Sequence, residues 1–295
     1  MLYHYTNFDA FKNILATKSL WLVSSLEMSD RTDRIYGNLF CLTSLLKSDK
    51  ESAIAIKDNL EISEILNLNV ETLDADFYSA SFCERNDNTF LWNNYASKFK
   101  GVCFGFDEVL FLDYIKKITK EHYDKLDDSD EPDDYPCIEK RKVEYGNPIP
   151  LFDKALSNAT NIWPFKNDDA FYEKECSKVQ LKIALMILAG VVKSEDFEKE
   201  EEIRFLFRHN TKSDFFGEFK KIRYGEVFKN LGLTDFIKEP KKHVALNIEN
   251  IFNSKLIPNV FITKDFQYRN ELKCCLIDAG LSETKIVLID SNKMH

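Results

Sequence analysis

Glycine and proline are scarce in this chain, nine and seven among 295 residues. That scarcity excludes collagen-like and linker-rich designs, and neither G-x-G-x-x-G nor the phosphate loop G-x-x-x-x-G-K-[ST] occurs. Positive charge is short as well: 40 Lys and Arg face 49 Asp and Glu, a formal net charge of −9. Non-specific nucleic-acid binding draws on dense cationic contacts with phosphates, so this balance argues against a general DNA or RNA binder and leaves room only for a local basic groove. The five histidines form no H-x-x-x-H or H-E-x-x-H pair, and the seven cysteines no C-x-x-C. Zinc-site spacing is therefore missing and no metal is expected, while the absence of G-x-S-x-G removes the hydrolase elbow. Met1-Leu2-Tyr3-His4 runs straight into a structural pattern with no signal peptide, so reduced thiols in a cytoplasmic protein are expected. The longest apolar run, Ile183 to Val192, is about half of what a bilayer span requires and reads as a buried helix.

Aromatic residues are abundant, with 24 Phe, 12 Tyr and 3 Trp, enough apolar area for a sizeable core. Leu2 to Tyr5 reads as a strand, and Thr6 or Asn7 caps a helix whose Phe8, Phe11, Ile14 and Leu15 recur at helical spacing. Strands follow at Leu20 to Val23, Phe77 to Cys83, Gly101 to Phe106, Val143 to Tyr145, Ile203 to Phe207, Val260 to Thr263 and Lys285 to Ile289. Helices are expected at Tyr36 to Lys47, Lys50 to Ile62, Asn88 to Tyr95, Asp107 to Thr119, Asp168 to Val192 and Phe266 to Ala279. Strands and helices mix without β-α-β alternation, which favours an α+β fold with a mixed, split sheet and helical insertions. No repeat or linker interrupts the chain, so one domain over 1–295 is expected, with an acidic, solvated loop near 124–134.

His4-Tyr5-Thr6, directly before a capped helix, is an unusual place for a core histidine. It resembles the first catalytic segment of ADP-ribosyltransferases of the His-Tyr-Glu class. Over the wider chain the resemblance is closer to a bacterial family catalogued as domain of unknown function 2971. The pieces that carry it are His4-Tyr5-Thr6, Ser29-Asp30-Arg31-Thr32-Asp33, Ser79-x-Ser81-Phe82, and Trp92-x-x-Tyr95 with Gly101-x-x-Phe104-Gly105-Phe106. Lys193-x-x-x-Phe197 and Glu200-x-Glu202-x-Arg204 complete it. The first loop departs from an expected Asn-Asp-Pro-x-Glu, and Phe197 stands where a Trp is expected.

The resemblance implies an ADP-ribosyltransferase-like fold and an enzyme that uses NAD as substrate, a transferase or glycohydrolase acting as a toxin-like effector in anti-phage defence. Its partners would be the nucleotide and a protein or nucleic-acid acceptor. Cleaving the nicotinamide–ribose bond creates an oxocarbenium-like centre that needs negative charge beside the ribose. On this reading Glu202 or Glu200 stabilises the cation, His4 holds the ribose, and Tyr5, Thr6 and Ser24 line the pocket. Arg31 or Arg204 holds pyrophosphate or orients the Glu. Glu200 and Glu202, two apart at the entry to a strand, are expected to share one face, with one of them meeting a cation. An aromatic ring stacks on nicotinamide in this scheme, either Trp92 and Tyr95 or Tyr36. Bland readings stand beside these: a core histidine at 4, a solvated charge run at 198–202, and core anchors at Trp92 and Tyr95. The transferase reading requires His4 and the Glu pair to face one cleft. The alternative class is a non-catalytic module that senses a nucleotide or binds a regulatory partner protein.

Overall fold

The computed structural model describes residues 1–24, 32–74, 77–123, 138–146, 149–154, 170–208, 221–223 and 242–290. It is an α+β protein built around a mixed sheet, and its residues group into two compact units. The first comprises Met1–Ser24, Tyr78–Lys140 and Lys199–His295; the second comprises Ser25–Phe77 and Arg141–Glu198. The acidic stretch 124–134 and Arg31 lie outside the described residues.

The first unit holds the large sheet. Its strands are β1 (Leu2–Thr6), β2 (Ser19–Ser24), β3 (Phe77–Cys83), β4 (Val102–Phe106) and β5 (Ile138–Lys142), then β8 (Glu202–Arg208), β9 (Lys221–Arg223), β10 (Lys242–Asn247), β11 (Asn259–Thr263) and β12 (Lys285–Ile289). They run in the order β12-β11-β4-β1-β3-β2-β10-β9, with β8 also on β3 and β5 on β8. β12 lies parallel to β11, whereas β4 is antiparallel to both β1 and β11. Strand β3 therefore carries three neighbours on two edges. It meets β1 at Tyr3 opposite Cys83 and β2 at Val23 opposite Ser79, so the sheet forks along β3.

Helix α1 (Phe8–Thr17) joins the two branches. Asn7 starts it, its side chain accepting a hydrogen bond from the Ala10 amide at 2.7 Å. Phe8, Phe11, Ile14 and Leu15 turn inward and pack with Leu2, Phe82, Phe104, Phe106, Ile203 and Phe205 in the main core. Helices α5 (Thr89–Asn94), α6 (Glu108–Tyr123) and α8 (Arg269–Asp278) complete this unit among the described residues. Strands alternate their side chains between faces. The opposite face of the sheet carries a second cluster in which Tyr5, Cys83 and Cys103 pack with Leu91, Trp92, Ala96 and Phe261.

The second unit is mostly helical: α2 (Thr32–Lys47), α3 (Glu51–Asn59), α4 (Ile62–Asp74) and α7 (Ala170–Val191), with the short parallel pair β6 (Glu144–Tyr145) and β7 (Val192–Lys193). Helix α7 packs on α2, α3 and α4. Gly37 sits where α2 crosses α7, and a Cβ there would stand 2.6 Å from the Ala189 Cα. Only glycine permits that approach. The helix expected at Lys50 to Ile62 is α3, which stops at Asn59, and a second helix that the sequence reading did not name, α4, starts at Ile62. Leu60 leaves helical geometry, and the Glu61 amide donates to the Glu64 carboxylate at 3.1 Å to start α4.

Candidate functional site

β1 sends alternate residues to opposite faces of the sheet. The His4 ring lies against Phe82 and Phe104 at 5.4 and 5.3 Å, on the main-core side, and its Nδ1 is 2.7 Å from the Ser81 carbonyl oxygen. Past Tyr3 the paired register of β1 and β3 stops, so the imidazole takes up a carbonyl of β3 near the fork. Desolvation lowers the pKa of His4, outweighing the hydrogen bond. The neutral ring is thus a built part of the sheet.

Tyr5 points the other way. Its hydroxyl donates to the Arg85 carbonyl at 2.6 Å and accepts from the Asn88 amide at 3.2 Å, and burial raises the phenol pKa far above its ordinary value. The Tyr5 ring meets Trp92 edge-on at 5.5 Å, and the Trp92 indole donates to the Asn86 carbonyl at 2.9 Å. Trp92 is fully buried, a core anchor. Thr6 is buried beside Val102.

Glu200 ends a short 3-10 turn, Glu201 adopts φ 48, and Glu202 begins β8. The left-handed residue between them breaks the extended chain, so Glu200 and Glu202 do not share a strand face as the spacing suggested. Nor is the segment simply solvated. Glu200 and Glu202 are 3% and 5% exposed, while Glu201 is exposed. Their contacts diverge. Tyr95 donates its hydroxyl to Glu200 Oε1 at 2.6 Å, and Arg85 Nη1 reaches Glu201 at 3.5 Å. Arg204 holds Glu202 through Nε–Oε1 at 2.7 Å and Nη2–Oε2 at 3.0 Å. Asn88 ties the segment to α5, its side-chain amide donating to the Lys199 carbonyl at 2.7 Å and its Oδ1 capping the Leu91 amide at 3.0 Å.

Ile203 and Phe205 belong to the main core, where Phe205 packs on Phe82 at 5.2 Å. By alternation Glu202 and Arg204 lie on the other face, the face of Tyr5. The sheet stands between His4 and the Glu202–Arg204 pair, so the expected common cleft is not formed. The physical reason is parity: the apolar neighbours of Glu202 and Arg204 occupy the face that His4 also uses.

The remaining sequence choices scatter. Ser24 ends β2 opposite Tyr78. Tyr36 belongs to the second unit, where its hydroxyl donates to the Gly146 carbonyl at 2.8 Å. In the same unit the buried Lys193 places its Nζ 5.3 Å from the Phe197 ring. Among the described residues no group of three His, Cys, Asp or Glu side chains converges as a metal site. Asn88 and Arg85 escaped the sequence reading; the only available signal was an Asn placed to cap α5. Tyr95 was singled out for its ring, while its hydroxyl contacts Glu200 105 residues away.

Strain concentrates at the same place. Ser97, Lys98 and Phe99 follow α5 with φ of 50, 54 and 68, three successive left-handed residues, each costing roughly 1–2 kcal/mol. Thr263 donates to the Phe99 carbonyl at 2.6 Å, Phe99 stacks on Trp92, and Gly101 returns to Ala96 through a 2.8 Å backbone bond. A Cβ on Gly101 would run into the Thr6 carbonyl oxygen.

Residues 91–205 match the model of a family, Protein of unknown function (DUF2971). The DUF2971 match opens on α5 and closes on β8, and the Tyr95–Glu200 hydrogen bond links the C-cap of α5 to the turn before β8. No curated protein and no solved structure matches the chain. No helix among the described residues is long and apolar enough to cross a membrane.

Proposed function

We propose that the protein acts on a nucleotide of the NAD type, as an ADP-ribosyltransferase or NAD glycohydrolase, with Glu200 and Glu202 as its reactive carboxylates and no part for His4. The transferase site that needed His4 in the same cleft fails, and this one rests on the carboxylates alone. One observation carries the reading: two buried carboxylates flank a left-handed residue, and each is gripped by its own donor, Tyr95 or Arg204. Immobilised negative charge is what an oxocarbenium-like ribose requires, because charge already fixed in place needs no reorganisation as the cation forms. The bond from ribose C1′ to nicotinamide breaks and its electron pair leaves with nicotinamide. The acceptor, water or a protein or nucleic-acid nucleophile, then bonds to C1′ and releases its proton. Arg204 orients Glu202 in this scheme and does not hold pyrophosphate. His4 serves the sheet. The choice of NAD, and a role as a defence effector, rest on the family resemblance of the opening segment.

Nicotinamide release from NAD, followed by chromatography, tests the reading with Glu200→Gln and Glu202→Gln. Each substitution removes charge and keeps size, and release per folded molecule is expected to fall by at least about a hundredfold in one of them. Glu202→Gln leaves the buried Arg204 guanidinium without its carboxylate, so its activity is scaled to the folded fraction measured by circular dichroism. Equal release from wild type and both variants sinks the proposal.

A second reading, a nucleotide-sensing or protein-interaction module, draws support from His4 lying across the sheet from the carboxylates. It predicts calorimetric binding of ADP-ribose with no nicotinamide released.

A further inference from the structure

We infer that Tyr95 is the positioning residue of Glu200, aimed by the strained turn that follows α5; this rests on the transfer chemistry proposed above. Trp92 and Tyr95 sit three apart on one short helix, yet their fates differ: Trp92 is fully buried, whereas Tyr95 is 42% exposed. An exposed tyrosine ring ordinarily leaves its hydroxyl to water. Here the hydroxyl donates at 2.6 Å to a carboxylate that is itself 3% exposed. A donor fixed at that distance holds the carboxylate in one orientation.

The surrounding backbone is organised for this contact. Tyr95 is the C-cap of α5, and its amide still bonds the Leu91 carbonyl. The chain then turns left-handed for three residues, with the Phe99 amide on the Trp92 carbonyl at 3.1 Å and the Lys98 amide on the Asn93 carbonyl at 3.2 Å. Strain of this kind persists only where its surroundings over-determine it, and such residues cluster at functional sites. Asn88 locks the other end of α5 to the Lys199 carbonyl, one residue before Glu200. Both ends of the helix are therefore referenced to the carboxylate segment, and the Tyr95 hydroxyl reaches the Glu200 carboxylate itself.

Tyr95→Phe removes the hydroxyl and keeps the ring. In the nicotinamide-release assay it is expected to lower kcat about tenfold while KM stays within about twofold and the melting temperature barely moves. Unchanged kcat overturns the inference and leaves the transfer reading standing. A rise in KM alone also overturns it, since Tyr95 would then be a substrate contact. If the wild type releases no nicotinamide, the transfer reading fails, and the 13Cδ resonance of Glu200, identified by its loss in Glu200→Gln, decides the inference by itself. Displacement of that resonance in Tyr95→Phe supports positioning, and an unmoved resonance refutes it.

Discussion

Arg204 and Glu202 face each other two residues apart on one strand and join through two hydrogen bonds, with their side chains only 1% and 6% exposed. Taking two such charges out of water is expensive, so the pair adds little net stability while intact. Breaking it is another matter.

Arg204→Met should cost about 3–5 kcal/mol, because the Glu202 carboxylate stays buried after its guanidinium is gone. The double variant Glu202→Gln/Arg204→Met should recover part of that loss. Urea unfolding of the wild type, both single variants and the double variant measures the coupling. Additive losses would show that the two groups do not stabilise one another.

His4 makes stability depend on pH. Its folded pKa lies below the ordinary 6.5 because burial disfavours the charged ring. Above 6.5 both folded and unfolded chains carry neutral His4 and the contribution is complete. As pH falls below 6.5 the unfolded chain takes the proton first, and stability drains until the lowered folded value is reached. Urea unfolding from about pH 7.5 to about pH 5.5 should therefore show the advantage of wild type over His4→Gln shrinking as pH falls. A constant gap would remove the buried neutral imidazole from the account. Affinity for ADP-ribose should be the same in both proteins, since His4 lies across the sheet from the carboxylates.

Ser79 is 2% exposed, and its hydroxyl has no hydrogen-bond partner among the described residues. Leaving such a group unmet costs about 1–3 kcal/mol, so Ser79→Ala should stabilise by about 1 kcal/mol and raise the melting temperature by roughly 2 °C. A drop of several degrees in differential scanning fluorimetry would mean that the hydroxyl is bonded in solution.

Much of the sheet was legible in the sequence because it obeys local rules. The strand at Leu2, the capped helix at Phe8 and the strands near Gly101 and Val260 announce themselves by apolar periodicity, and all four stand close to where that periodicity put them. Strand β5 has the sequence Ile-Glu-Lys-Arg-Lys, which shows no apolar alternation, so nothing local marks it. Strands β9 and β10 were missed too. The importance of Glu200 and Glu202 could be seen, but their geometry could not. Three successive glutamates carry no sign that the middle one turns left-handed, and a hydroxyl 105 residues away leaves no trace in spacing. His4 was singled out for its position, and parity alone, visible only once Phe104 is known to lie opposite it, sets it on the main-core face.

The order of the strands also sets a timetable for synthesis. β1 is made first and lies deep inside the sheet, but the outer neighbours of its branch are among the last strands to be made: β4 waits for Val260 of β11, and Val23 of β2 waits for His243 of β10. Pairings between such distant parts of a chain pay their loop-closure entropy before any contact repays it, so they form slowly. While the ribosome is still translating the middle of the chain, the edges of β2 and β4 stand open to pairing with any passing strand.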